Sequence, residues 1–232
     1  MSPSFSAPPL AVRSLALFGG TFDPVHRGHL AAARAARDRF HLDAVHFIVA
    51  ARPPHKRRAP LSSYPHRVAM AALACACQPG FIVSLIEAGS DLSGTGTFYS
   101  VDIVRAYRKR LPRSAHLYFL IGVDAFLDIA KWREPEALLD SCDFIVVSRP
   151  GFSLEQLRAA LPQGMLAVGR TSNRGAPRAA LRLRRSTVHL ISSVHVEVSS
   201  TEIRGRAALG RSIRGLVPSA VEDYICKQAL YR

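Results

Sequence analysis

The chain has 232 residues, 48% of them apolar, which suits one domain with a real core and excludes a disordered protein. Its net charge of +14 attracts polyanions, leaving nucleic acid and small phosphorylated molecules open as partners beside a merely solvated basic surface. No run reaches the roughly 18 uncharged apolar residues of a membrane span, so no membrane association is expected.

The opening MSPSFSAPPL has no basic n-region and reads as a flexible tail over residues 1–12, not as a signal peptide. Residues 13–232 are then expected to form a single domain. SLALFGG (14–20) predicts a buried strand ending at glycines, and GHLAAARAARDRF (28–40) a helix with an alanine face opposite its arginines. AVHFIVA (44–50) predicts a second strand, stopped by the prolines of RPPHKRRAP. YPHRVAMAALACAC (64–77) follows as a helix with proline near its start, then FIVSLIEA (81–88) as a strand and YSVDIVRAYRKRL (99–111) as a helix.

The order repeats downstream. AHLYFLIGVD (115–124) predicts a strand, EPEALLDSC (134–142) a helix, DFIVVSRPG (143–151) a strand and SLEQLRAAL (153–161) a helix. VHLISSVHVEVSS (188–200) offers one or two strands, and two short helices close the chain. Strands alternating with helices at this spacing mean βαβ units: an α/β fold, a doubly wound parallel sheet with a small C-terminal helical part. Ligands on such sheets bind beyond the carboxyl ends of the strands. The segment 165–190, rich in arginine, is expected to be either a surface insertion without fixed structure or an interaction element for a partner, RNA or a second subunit. Cys75, Cys77, Cys142 and Cys226 have no metal-like or disulfide-like spacing; Cys75 and Cys77 read as buried packing thiols, and a reducing cytoplasm is the default.

The stretch FGGTFDPVHRGHL (18–30) concentrates the chemistry. Gly19 and Gly20 let a ligand approach the backbone, Thr21 offers a hydroxyl, and Asp23-Pro24 fixes a turn before Gly28 and His29 open a helix. Three readings of the His26/His29 pair compete: metal ligands, buried packing histidines, or donors in a phosphate cradle at a helix N-terminus. No carboxylate or thiol with ligand spacing stands nearby, and the glycines and turn just upstream favour the cradle. GxxxxGK[ST] occurs nowhere, and GTGTFY (94–99) matches a dinucleotide fingerprint only superficially.

GGTFDPVHRGHL resembles the signature of the nucleotidyltransferase superfamily, with His26-Arg27-Gly28-His29 as its HxGH core. PPHK (53–56), IGVDAFLDIAKW (121–132), VVSRPG (146–151) and VSSTEIRGRAALGRSIRGLVPSAVEDYI (198–225) are similar, in the same order, to bacterial nicotinate-nucleotide adenylyltransferases. The resemblance implies a Rossmann-like nucleotidyltransferase fold that moves the adenylyl group of ATP onto nicotinate mononucleotide in NAD synthesis. It implies Mg²⁺ bound mainly through the ATP phosphates and no metal site of the protein's own. His26, His29 and Arg204 would be catalytic, with Gly19, Gly20, Thr21, Phe22, Gly122, Asp124, Arg149, Ser200 and Thr201 completing the ATP site. Lys56, Tyr99, Ser100 and Trp132 would bind the mononucleotide; the family's SYT stretch reads Phe98-Tyr99-Ser100 here. The same chemistry on nicotinamide mononucleotide is the nearest alternative, and a basic nucleic-acid-binding protein the alternative of another class. The latter lacks interleaved aromatics and any known reading module. A homo-oligomer stays open.

Overall fold

The computed structural model describes residues 12–53, 61–88, 98–148, 152–167, 180–192, 194 and 197–232. Among these, seven strands form one sheet in the order β3-β2-β1-β4-β5-β7-β6. The strands are β1 (Ser14–Gly20), β2 (Ala44–Val49), β3 (Phe81–Ser84), β4 (His116–Gly122), β5 (Asp143–Val147), β6 (Ala180–Arg182) and β7 (Thr187–Ile191). All neighbours run parallel except β6, which pairs antiparallel with β7 at the edge. The helices are α1 (Arg27–Phe40), α2 (Tyr64–Cys75), α3 (Ser100–Arg110), α4 (Val123–Phe126), α5 (Pro135–Ser141), α6 (Leu154–Ala159), α7 (Ser200–Ala208) and α8 (Ser219–Lys227).

Both faces of the sheet are covered, which is why its central strands carry near-continuous apolar runs instead of apolar residues at every second position. Ala16 and Phe18 of β1 face a core built with α1, α2, α7 and α8; Leu15 and Leu17 face the opposite core, built with α3 and α5. Helix α1 lies close on the sheet because the residues it buries there are mostly small: Leu30, Ala32, Ala33 and Ala36.

Several boundaries differ from the sequence expectation. The third strand stops at Ser84, and the chain turns through Leu85 to Ala88, closed by an Ala88 N–H bond to the Leu85 carbonyl at 3.0 Å. Strand β4 ends at Gly122, so Asp124 belongs to α4 and not to a strand end. Only one strand, β7, forms in the described part of 188–200. The expected insertion at 165–190 is in part sheet: β7 joins β5, and β6 pairs with β7. The reason is a short alternation, Leu181-Arg182-Leu183, that buries Leu183 and leaves arginine in water. Residues 168–179 of that stretch, like the tail 1–11, lie outside the described residues. Cys77 is exposed just past the end of α2, whereas Cys75 and Cys142 are buried.

Candidate functional site

Strand β1 pairs with β2 on one side and β4 on the other, so the chain reverses its winding direction there. Doubly wound sheets open a crevice at such a switch point, beyond the carboxyl ends of the strands. A cleft of about 260 Å³ lies at that place, lined among others by Phe18, Gly19, His26, His29, Gly122 and Asp124.

His26 is the N-cap of α1, in extended conformation, and its backbone N–H donates to His29 Nδ1 at 3.2 Å. Because His29 Nδ1 accepts, the ring's proton sits on Nε2. The two imidazoles stack with centroids 3.6 Å apart and planes 28° from parallel. His26 is 7% exposed, and burial pulls its pKa down to about 4, so the ring is neutral at pH 7. Its buried Nδ1 has no hydrogen-bond partner among the described residues. A helix N-terminus beside a cleft suits an anionic ligand, whose oxygens can accept from the backbone N–H groups there.

A side chain would be crowded at two glycines here. A Cβ on Gly28 would stand 3.1 Å from His26 Cε1 and Nδ1 and 3.2 Å from Val198 Cγ1. A Cβ on Gly20 would stand 2.8 Å from the Phe22 ring. That ring, itself 2% exposed, meets His29 edge-on at 5.0 Å and Phe18 at 5.5 Å. The side chain of Phe22, expected at the ATP site, is therefore buried support for His29. Gly122 by contrast has no atom within 4 Å of where its Cβ would stand.

Helix α7 brings the distant SSTEIR stretch to this corner. Ser199 Oγ caps the helix by accepting from the Glu202 N–H at 3.1 Å. Ser200 Oγ donates to the Pro24 carbonyl at 3.0 Å, and Arg204 Nη1 donates to the Asp23 carbonyl at 2.8 Å. Arg204 Nη2 also reaches Thr201 Oγ1 at 3.2 Å. Ser200 and Arg204 thus hold the turn that precedes His26.

Two further supports escaped the sequence. Arg67 is 2% exposed and donates to the carbonyls of Ser62, Thr21, Ala50 and Ala51 at 2.6–3.1 Å, fastening the ends of β1 and β2. Thr21 enters this support through its carbonyl. Glu87 Oε2 accepts from the Ala51 N–H at 2.8 Å, and burial pushes its carboxyl up to about 7 against the opposing pull of that bond and of Arg67. A lone arginine on the apolar face of α2 and a lone acid ending FIVSLIE were the only signals, and neither reveals its partner.

Of the residues expected around the mononucleotide, the described ones, Tyr99, Ser100 and Trp132, do not line this cleft. Tyr99 is the N-cap of α3, Ser100 begins that helix, and the Arg133 guanidinium lies 4.6 Å from the Tyr99 ring centroid. Half-buried Trp132 meets Phe119 edge-on at 6.1 Å, and the Phe119 ring tip is 3.4 Å from where a Gly19 Cβ would stand. Trp132 is thus one aromatic ring away from the end of β1. Lys56 and Arg149 lie outside the described residues.

A profile of the cytidylyltransferase-like family matches residues 17–206. A relative from Geobacter sulfurreducens, named "Probable nicotinate-nucleotide adenylyltransferase", is 43% identical, covering 93% of this chain and 96% of its own. One of the same name from Thermus thermophilus is 41% identical, covering 94% and 99%. In fold, the chain is similar to the nicotinic acid mononucleotide adenylyltransferase of Plasmodium falciparum solved with NaAD, with a TM-score of 0.68 and 19% identity over 94% of this chain and 97% of that one. With the HxGH corner and the α7 clamp in the places described, the chain belongs to the nicotinate-nucleotide adenylyltransferase family of cytidylyltransferase-like proteins.

Proposed function

We propose that this protein transfers the adenylyl group of ATP to nicotinate mononucleotide, giving nicotinate adenine dinucleotide and pyrophosphate, a step of NAD synthesis. A phosphate oxygen of the mononucleotide attacks the α-phosphorus of ATP. The bond from that phosphorus to the α–β bridging oxygen breaks, and pyrophosphate leaves with the electron pair. The acceptor is already an anion, so no general base is needed, and the barrier lies in bringing anions together and stabilising the departing charge.

The observation that carries this reading is the stacked, hydrogen-bonded His26/His29 pair at the start of α1, beside a cleft at the sheet's switch point. Neutral His26 adds polarity without a fixed charge, and the Nε2–H of His29 donates to phosphate oxygens as they gain charge. Arg204, Ser200 and Thr201 stand at the other end of the triphosphate, with Gly19 and Gly20 giving it room. Asp124 receives the ribose hydroxyls beside Gly122, and Arg149 serves the adenine or triphosphate. Lys56 clamps the acceptor phosphate, Trp132 stacks on the pyridine ring, and the backbone at Tyr99 and Ser100 takes the nicotinate carboxylate at the start of α3.

Among the described residues no three His, Cys, Asp or Glu side chains converge as a metal cage would need. Mg²⁺ fits as a passenger on the ATP phosphates and water, neutralising their charge. The free cysteines suit a reducing cytoplasm, and among the described residues no helix is long and apolar enough to cross a membrane.

Pyrophosphate release is the test, with ATP, Mg²⁺ and either nicotinate or nicotinamide mononucleotide. Turnover faster with the nicotinate acceptor is expected. Absence of turnover with both would refute the reading, and a preference for the amide would reassign the acceptor.

A further inference from the structure

The turn before His26 is held from a third direction, by the far end of the chain. Tyr231 donates its hydroxyl to Asp23 Oδ1 at 2.7 Å across 208 residues of sequence. Asp23 is 1% exposed, and its second carboxylate oxygen accepts from the Ser62 N–H at 3.1 Å. Its carbonyl is the one that receives Arg204 Nη1. One buried residue, three positions before His26, therefore joins the C-terminus, the segment entering α2 and the arginine of α7.

The backbone supports this contact at a cost. Tyr231 has φ +66° and Ala229 φ +48°, left-handed conformations that non-glycine residues rarely adopt and that are strained for an aromatic one. Two such residues within three positions turn the chain back after α8 and aim the phenol inward. Tyr231 Oη also lies 3.9 Å from Met70 Sδ of α2, and α8 is tied to α2 by the 2.9 Å bond between Tyr224 Oη and His66 Nδ1. Burial raises the Tyr231 phenol well above its ordinary range, the Ser62 hydroxyl opposing and the Asp23 carboxylate adding to the shift, so it remains a donor at working pH.

Resting on the adenylyl-transfer reading above, we propose that Tyr231 is a positioning residue: its hydroxyl latches Asp23, and through Asp23 it sets both the placement of His26 and the grip on Arg204. It touches no substrate. It acts on turnover by fixing where the two ends of the triphosphate site stand relative to each other, which is the geometry that transition-state stabilisation depends on.

The test compares wild type with Tyr231→Phe, which keeps the ring and removes only the hydroxyl, with Tyr231→Leu, and with Asp23→Asn alone and combined with Tyr231→Phe. Pyrophosphate release gives kcat and both KM values, and the His26 and His29 imidazole resonances are recorded in ligand-free protein. The expected result is a fall of about tenfold in kcat for Tyr231→Phe, both KM values within about twofold of wild type, and displaced imidazole resonances. Tyr231→Leu should be no slower than Tyr231→Phe, and the double variant no slower than Asp23→Asn. Wild-type kcat in Tyr231→Phe, or effects that multiply in the double variant, would overturn the latch. So would a Tyr231→Leu variant far slower than Tyr231→Phe, because packing would then be the role. If Tyr231→Leu does not fold, the other variants carry the test. If wild type itself does not turn over, the adenylyl-transfer reading fails, and the resonances alone decide on Tyr231: displaced they support the latch, unmoved they sink it.

Discussion

Gly28→Ala isolates the geometry of the histidine pair, because it adds one methyl group and replaces neither imidazole. Residue 28 is the second residue of α1, where the helical backbone accepts alanine. The added Cβ would stand 3.1 Å from His26 Cε1 and Nδ1, with Val198 Cγ1 at 3.2 Å on the other side. An ordinary carbon contact is about 3.5–4.0 Å, so the His26 ring must shift by about half an ångström. A misplacement of about 1 Å at a catalytic group costs on the order of a hundredfold, so about half of it predicts a kcat near one tenth of wild type. Overpacking of this kind destabilises by about 1–3 kcal/mol, offset by up to about 1 kcal/mol from the better helix propensity of alanine. Steady-state pyrophosphate release and a thermal melt measure the two quantities side by side. A Gly28→Ala enzyme with wild-type kcat would refute the argument that His26 must stand where it does.

Arg67→Met should destabilise the fold by about 3–5 kcal/mol, since it strips a buried cation from four carbonyls, and a denaturant titration showing under about 1 kcal/mol would contradict that role. His46 is 6% exposed, bonded to Tyr107 Oη at 2.9 Å, and its pKa is pulled down to about 4 by burial and by Arg110. Below pH 6.5 the unfolded chain takes up a proton there that the folded chain refuses. Relative to His46→Gln, wild type should therefore lose about 2 kcal/mol of stability between pH 8 and pH 5; parallel pH profiles would show that His46 does not titrate this way. Trp132→Ala should raise the KM for the mononucleotide more than that for ATP, and an unchanged KM would leave Trp132 as packing for Phe119.

The central sheet was legible because burial on both faces writes itself into sequence as runs such as LALF and VHFIV. The HxGH corner was legible because glycines, a turn and two histidines crowd into a dozen positions. Strand ends were not: Gly122 closes β4 because Val123 and Phe126 pack into the core as a helical turn, a tertiary preference with no local signal. β6 was hidden because arginine on its solvent face masks a two-residue period. The supports of the site were invisible for a different reason. Arg67, Glu87, Asp23 and Tyr231 act through partners from 5 to 208 positions away, and nothing in a linear chain marks which buried polar groups will meet.

The most direct measurement is a crystal structure of the protein with a non-hydrolysable ATP analogue. The triphosphate is expected at the start of α1, within hydrogen-bond distance of His29 Nε2, with Arg204 at its far end and the ribose beside Gly122 and Asp124. A nucleotide seated elsewhere, or a triphosphate out of reach of His29, would contradict the account.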